Sequence, residues 1–129
     1  EGLAPGTQAL LKRRYFLVEK AKEAGIVGIL VGTLAVAGLQ PAMARLRGLV
    51  RGAGKKSYTM LMGKPNPAKL ANFPEVEVWV QLADPLGFIL DSKPYLSPII
   101  TPYEAVLALT GESLLPGQPY RLGLEPLLE

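Results

Sequence analysis

The sequence predicts an α/β fold, in which helices flank a small sheet of parallel strands. Apolar runs rich in β-branched residues alternate along the chain with segments whose apolar residues recur at helical spacing. Glycines and prolines separate most of these segments. Strands that alternate with helices pair in parallel, because each crossover returns the chain to the same end of the sheet. We therefore predict a Rossmann-like sheet of about four strands.

The first two predicted elements are a helix over residues 7–24 and a strand over residues 26–32. In the helix, Leu11, Tyr15 and Val18 recur at i, i+4 and i+7, which predicts one buried face. Gly25 follows this helix, and glycine is typical of a helix end. The strand, IVGILVG, is apolar without alternation, which favours burial on both of its faces.

The later elements continue the alternation. They are a helix from residue 40 to about 52, strands at 56–63, 76–82 and 98–100, one helical turn within 67–72, and a helix over 101–109. The predicted start of this last helix has Thr101 as the cap, Pro102 in the first turn and Glu104 as an early acid. In the third strand we expect Val76 and the other even-numbered residues on one face and Trp79 on the other. Residues 1–110 would form the domain, and residues 111–129, rich in proline and glycine, an irregular tail.

The composition restricts the possible functions. With 129 residues, 49% of them hydrophobic and 19% charged, the chain has the size and composition of one globular domain. The absence of cysteine excludes disulfides and thiolate metal ligands within the chain. The absence of histidine excludes every Ser-His-Asp or Cys-His catalytic arrangement. A net charge of +3 permits an acidic partner but does not indicate a nucleic-acid-binding protein.

No membrane-spanning segment is predicted. The most apolar stretch, residues 24–39, is 16 residues long and carries four glycines, whereas a spanning helix needs about 20 apolar residues. Gly28 and Gly32 have the spacing of a membrane-helix dimer motif, but we prefer a buried strand followed by a loop. The chain begins at Glu1 without a signal-peptide pattern, which indicates a piece of a longer protein or a trimmed chain. We expect the protein to be soluble and cytoplasmic.

The loops that follow the strands are the expected functional region. Ligands of parallel α/β sheets bind at the carboxyl ends of the strands, where the strand order reverses. This edge would gather residues 33–38, 63–72 and 83–87 and the Ile100-Thr101 junction. The candidate ligand-binding residues are Gly32, Thr33, Lys64, Asn66 and Lys69. For Lys64, Asn66 and Lys69, a proline-shaped turn with solvated lysines is an equally good interpretation. For Gly32 and Thr33, ordinary loop geometry is favoured over a cradle of backbone amides around an anion.

Catalytic residues are not predicted at this edge. Its acidic residues, Asp84, Asp91 and Glu104, are too sparse to indicate a carboxylate pair for acid–base chemistry.

A basic strip accompanies the second helix and the start of the strand after it. Its members are Arg45, Arg47, Arg51, Lys55 and Lys56. No aromatic residues are interleaved for base stacking, so a solvated face or an acidic protein partner is favoured over RNA.

Three segments taken together resemble one known family. They are RRYFLVEKAKEAGIVGILVGTLAVAG, LRGLVRGAGKKSYTMLMGKPNPAKLANFPEVEVWV and DSKPYLSPIITPYE. On these segments the chain resembles the C-terminal, third domain of diphthamide biosynthesis proteins. Within that family it is most similar to the second subunit of the eukaryotic aminocarboxypropyl-histidine synthase. The resemblance covers residues 11–109, and GKPNPAKLANF is its most specific motif.

The resemblance implies one of three related α/β domains that surround a central crevice. Such proteins bind a 4Fe–4S cluster through one cysteine from each domain and cleave S-adenosylmethionine in a radical reaction. The aminocarboxypropyl group goes to a histidine of translation elongation factor two, the first step of diphthamide synthesis. The implied partners are the homologous first subunit, elongation factor two and a small electron-donor protein. The first subunit carries the catalytic cluster. The implied role of this chain is to support the first subunit, and we expect it to be inactive alone.

Asp84 stands where members of this family usually have the cluster-binding cysteine of a Cys-Pro pair. The resemblance thus places a carboxylate at the metal-ligand position, whereas thiolates are the ordinary ligands of iron–sulfur clusters. Two alternatives stay open. One is a stand-alone α/β module that binds a small anionic ligand at the strand edge, and the other is a scaffold without cluster or ligand.

Overall fold

The computed structural model describes residues 5–32, 37–62, 66–82, 96–114 and 123–128, with side chains from residue 9 onward. Its elements are α1 (Pro5–Ala21), β1 (Ile26–Val31), α2 (Leu39–Gly52), β2 (Lys56–Leu61), α3 (Pro67–Leu70), β3 (Val78–Leu82), β4 (Ile99–Ile100), α4 (Pro102–Leu109) and α5 (Glu125–Leu128). The four strands form one sheet in the order β2-β1-β3-β4, and every pair is parallel. The predicted fold class is confirmed.

Each face of the sheet carries its own apolar cluster. The larger cluster joins α1, α2, α4 and α5 to alternate strand residues such as Ile29, Val80 and Ile100. The smaller one lies on the opposite face, where Leu70 of α3 packs with Leu30 and Trp79. Because β1 and β3 are the two inner strands, burial on both faces explains why their sequences are continuously apolar.

Trp79 depends on the absence of a side chain at Gly28, its neighbour on β1. The two residues are paired across β1 and β3, and a Cβ atom at Gly28 would overlap the indole ring. The ring of Phe73 meets Trp79 edge to face, with centroids 6.4 Å apart. The glycine in IVGILVG is therefore a packing requirement of the smaller cluster.

The start of α4 follows the predicted capping pattern. The Thr101 hydroxyl accepts a hydrogen bond from the Glu104 N–H at 3.3 Å, and the Glu104 carboxylate accepts one from the Thr101 N–H at 2.8 Å. Pro102 occupies the first turn, where its missing N–H has no cost. This capping box holds the first turn of α4 against the end of β4.

Two expectations about individual side chains need correction. Tyr15 was expected on the buried face of α1, but it is 45% exposed, and Arg14 is buried instead with Leu17 and Val18. The cause is an ion pair that Arg14 forms with α4, described below. Val76 precedes β3 and packs in the smaller cluster with Trp79, so the two lie on the same side of the sheet.

The segment expected to be an irregular tail includes a short helix. The structure describes residues 111–114 and 123–128 of it, and α5 forms within the latter range. Leu114, Leu124 and Leu127 are buried in the larger cluster. Among the described residues, no helix is long and apolar enough to cross a membrane, and the Gly28–Gly32 spacing falls at strand β1.

Candidate functional site

The strand order places a topological switch point between β1 and β3. From β1 the chain crosses to β2 on one side, and it then passes back over β1 to β3 on the other. The register aligns the ends of all three strands, because Val31 pairs with both Leu61 and Leu82. Such a point is where ligands of open parallel sheets bind. The expected edge is therefore present.

Gly32 lies directly at this switch point. Its N–H donates to the Leu82 carbonyl at 3.4 Å, so it stands beside the last residue of β3. A Cβ atom built on Gly32 would meet no atom of the described residues within 4 Å. The described residues therefore leave room for a ligand to approach the backbone closely at this position.

Asn66 follows the end of β2 and shapes the loop at the same edge. Its Oδ1 accepts hydrogen bonds from the N–H groups of Ala68 and Lys69, at 2.8 and 3.2 Å, and so caps α3. Pro67 occupies the first turn of that helix. Since Oδ1 is engaged, the Nδ2 amide is the part of this side chain left to donate to a ligand. Lys69 is exposed.

The other predicted site residues cannot be placed in the same way. Thr33, Lys64 and Asp84 lie outside the described residues. Of the five predicted ligand-binding residues, the structure therefore places Gly32, Asn66 and Lys69, and it places Gly32 and the capped turn at Asn66 after adjacent strands. Their role in binding stays a prediction.

Glu104, one of the acids expected at this edge, is engaged in the core. Its side chain is 0% exposed, and its carboxylate accepts two hydrogen bonds from the Arg14 guanidinium, at 2.7 and 2.5 Å. Arg14 also donates to the Ile99 carbonyl at 3.0 Å. The carboxylate is thus part of the structure that holds α1, β4 and α4 together, and it does not present an acid to a ligand.

The sequence contained a signal for this pair. Arg14 precedes Leu17, Val18 and Ala21 by three, four and seven residues, and all three are buried. At this helical spacing Arg14 belongs to the core-facing stripe of α1. A charge in such a stripe is stable only with an opposite charge nearby. The capping pattern placed Glu104 at the start of α4. Arg14 and Glu104 are 90 residues apart in the chain, however, so the sequence pattern did not show that they are in contact.

Glu77 lies at the opposite, amino-terminal end of the sheet. Its carboxylate accepts hydrogen bonds from the N–H groups of Gly25 and Ile26, at 2.5 and 3.1 Å. The bond from Gly25, followed by that from Ile26 and the nearby charge of Lys55, lowers the pKa of Glu77, since each favours the ionised form. This carboxylate therefore fixes the turn between α1 and β1 and lies away from the candidate site.

The residues present do not fit a thiolate-bound cluster. The chain has no cysteine, and within the described residues no three acidic side chains lie close enough to hold a metal ion. Because Asp84 lies outside those residues, the structure supplies no geometry for a carboxylate ligand.

Comparisons with known proteins point to one family. The sequence model of the diphthamide synthesis protein family matches residues 3–119. The chain is 56% identical over 98 residues to the 2-(3-amino-3-carboxypropyl)histidine synthase subunit 2 of Gallus gallus, covering 76% of the chain and 20% of that protein. It is 45% identical over 106 residues to subunit 2 of Schizosaccharomyces pombe, covering 82% and 21%. The human subunit 2 is 44% identical over 133 residues, covering 91% and 27%.

Solved structures agree with this result. The chain superposes on Dph2 from Pyrococcus horikoshii with a TM-score of 0.69 and 25% identity, covering 94% of the chain and 34% of that protein. A second structure of the same protein, with a 4Fe–4S cluster, gives a TM-score of 0.68 at 22% identity and covers 32% of its chain. The chain spans about a fifth to a third of each of these proteins.

Proposed function

Because the chain belongs to the diphthamide synthesis protein family, we propose that it forms the third, C-terminal domain of an aminocarboxypropyl-histidine synthase subunit 2. The observation that carries this proposal is the 56% identity to the Gallus gallus subunit 2 over 98 residues. It is reinforced by the match of the family model to residues 3–119. In this role the chain belongs to a transferase subunit and is inactive alone.

The complex would transfer the aminocarboxypropyl group of S-adenosylmethionine to a histidine of translation elongation factor two, in the cytoplasm. The other protein partners are the homologous first subunit and a small electron donor. Gly32, Thr33, Lys64, Asn66 and Lys69 line the crevice edge of this domain. Two features support that assignment: no described atom would lie within 4 Å of a Cβ atom at Gly32, directly after β1, and Asn66 caps a turn that follows the adjacent strand β2.

We further propose that this domain contributes no ligand to the iron–sulfur cluster. A thiolate cannot come from a chain without cysteine, so this domain acts as a support for the cluster of its partner subunit. Asp84 occupies the former ligand position without binding iron. The domain would keep the loop architecture of a cluster site and supply shape and hydrogen-bond donors at the crevice.

A chimera tests the assignment to subunit 2. The present chain replaces the matched segment of the Schizosaccharomyces pombe subunit 2, in cells that lack their own copy, and the target histidine of elongation factor two is analysed by mass spectrometry. We expect the modification to be restored. An unmodified histidine, in the presence of a chimera that is expressed and copurifies with the first subunit, would contradict the proposed function.

The same chimera tests the crevice residues. Replacing Asn66 and Lys69 together by alanine should lower the modified fraction, while the matched alanine replacement of Lys12 and Lys20, exposed lysines of α1, should not. Equal modification in both would favour a scaffold without ligand contacts.

Iron content and low-temperature EPR of the anaerobically reconstituted chimera test the role of Asp84. Any cysteine that the rest of the subunit contributes is present in each variant, so Asp84→Cys is compared directly with the unmodified protein. We expect a reducible cluster only with Asp84→Cys. A cluster of equal occupancy in the unmodified protein would mean that Asp84 or solvent completes the site.

A further inference from the structure

The outer edge of β2 borders a basic groove. β2 is an outer strand of the sheet, and the described residues place no strand on its second side. Between this strand and α2 lies an open groove of about 340 Å³, called here the basic groove, whose wall includes Arg47, Arg51, Lys55, Lys56, Ser57 and Tyr58.

The backbone of β2 has three residues whose polar groups point away from the sheet. The N–H of Lys56 donates to Gly25 at 2.9 Å, and that of Met62 donates to Val31 at 2.8 Å, so the even-numbered residues face β1. Because these groups alternate in a strand, the N–H and C=O groups of the odd-numbered residues Ser57, Thr59 and Leu61 face outward. They form a ready template for another strand.

The cations of the basic groove are not neutralised by the part of the chain that the structure describes. None of its arginines and lysines lies within ion-pair distance of a described carboxylate. Lys55 donates to the carbonyls of Lys22 and Ala24, and the Glu77 carboxylate is near it without forming an ion pair. Arg47 donates to the Thr59 hydroxyl and has no ion pair with a described carboxylate. Arg51 and Lys56 are exposed. The groove therefore favours an anionic occupant.

We propose that this edge binds an extended acidic segment of a partner protein, which adds to the sheet as a fifth strand beside β2. The outward N–H and C=O groups would pair with its backbone, and its carboxylates would lie over the α2 side of the strand, near Arg47 and Arg51. Affinity would come from the backbone pairing and selectivity from the charges. The inference does not depend on the proposed function.

Two other occupants fit these observations less well. A second copy of the chain, paired edge to edge, would bring the same lysines and arginines against each other, which is unfavourable. RNA would need several stacking side chains, and Tyr58 is the single aromatic residue among those that line the groove. An extended acidic peptide satisfies both the outer backbone edge and the unpaired charge.

The test uses fluorescence anisotropy with a fluorescein-labelled peptide of alternating glutamate and valine, about eight residues long. We expect saturable binding to the 129-residue chain that weakens as salt rises from about 0.05 M to about 0.5 M. A peptide of alternating lysine and valine should not bind. Failure of the acidic peptide to bind, or tighter binding of a single-stranded RNA of the same length, would overturn the proposal.

Charge-reversal variants locate the site. Arg47→Glu with Arg51→Glu should weaken binding by about tenfold or more, while the matched pair Lys12→Glu with Arg13→Glu, exposed on α1, should leave it nearly unchanged. Emission from the buried Trp79 verifies folding in each variant. If the charge-reversal variant Arg47→Glu with Arg51→Glu unfolds, the charge-neutralising pair Arg51→Gln with Lys56→Gln is used in its place. If both double variants lost the same amount of peptide binding, the peptide would be attracted by the net charge of the chain alone and not by the basic groove.

N-methylated peptides distinguish strand addition from a purely ionic contact. One peptide is N-methylated at the glutamates and the other at the valines. Because only alternate residues of an added strand direct their N–H groups toward β2, only one of the two peptides loses the N–H groups that pair with β2. We expect one of the two to lose binding. If both bind as tightly as the unmodified peptide, no strand is added and the proposal fails. Loss of peptide binding in the fission yeast chimera would mean that the subunit covers its own edge, which would also overturn it.

Discussion

Arg14 and Glu104 lie 90 residues apart in the chain and form a buried ion pair with two hydrogen bonds between them. The exposed fractions of the two side chains are 1% and 0%. The same carboxylate accepts the Thr101 N–H of the capping box, and the same guanidinium donates to the Ile99 carbonyl. One pair thus connects α1, the end of β4 and the first turn of α4.

The first prediction concerns the loss of one partner of this pair. Arg14→Met should destabilise the chain by about 3–5 kcal/mol, because it leaves the Glu104 carboxylate buried without its counter-charge. Glu104→Gln should cost a similar amount while keeping an acceptor for the Thr101 N–H. Urea denaturation followed by Trp79 fluorescence measures both values.

The double variant supplies the control for this prediction. Arg14→Met with Glu104→Gln removes both charges, so its cost should be smaller than the sum of the two single costs by at least about 1 kcal/mol. Additive costs would show that the two side chains stabilise the fold independently, contrary to the geometry.

The sequence predicted the parallel sheet because its inner strands are apolar on both faces and its helices have clear ends. The Thr101-Pro102 start of α4 was predicted because caps are local. One helical turn within residues 67–72 was expected only because the interval between two strands allows it, and α3 lies in that interval. The buried face of α1 was misjudged at Tyr15, because the burial of Arg14 depends on a partner that only the tertiary structure supplies.

The candidate site was predictable only in its position. Parallel strands fix which edge gathers the loops. Gly32 directly follows β1 and Asn66 lies in the loop after β2, as the pattern predicts, whereas their role in binding stays a prediction. The cap formed by Asn66 was not anticipated, although Asn before Pro is a common helix start. The outer edge of β2 also required the strand order, which the sequence pattern does not determine.

The second prediction tests the contact between Gly28 and Trp79. Gly28→Ala should destabilise the fold by about 1–3 kcal/mol, because the new methyl group overlaps the indole ring and approaches a Val76 methyl group. Gly32→Ala, at the open end of the same strand, is the matched control and should change stability by no more than about 0.5 kcal/mol. Thermal denaturation compares the two, and equal effects would contradict this view of the packing.

The third prediction concerns the pH dependence that Glu77 confers. Hydrogen bonds from Gly25 and Ile26 lower its pKa below the ordinary value of 4.5, so folding is favoured by the ionised form. This stabilisation is complete above that value and is lost as the pH falls through the lower pKa of the folded state. The melting temperature of the wild type should therefore exceed that of Glu77→Gln at neutral pH, and the difference should shrink in acid.

Glu75→Gln is the control for the pH experiment. Glu75 is also exposed and lies two residues before Glu77, but the described residues provide it with no hydrogen bond. Its melting temperature should follow that of the wild type across the same pH range. Glu19, whose pKa is lowered mainly by the Ser113 hydroxyl, is present in all three proteins and so cancels in the comparison. A pH-independent difference for Glu77→Gln would contradict the prediction.

The fourth prediction separates the structural role of Asn66 from any role in binding. Asn66→Ala removes the acceptor for two backbone N–H groups and should destabilise the chain by about 1 kcal/mol, whereas Asn66→Asp keeps that acceptor and should be close to neutral. Urea denaturation measures both, and amide hydrogen exchange at Ala68 and Lys69 should accelerate only in the alanine variant. Because Asp lacks the Nδ2 donor, an aspartate variant that is stable but gives less modification in the chimera would assign that amide to ligand binding. Full modification with Asn66→Asp would leave capping as the function of this residue.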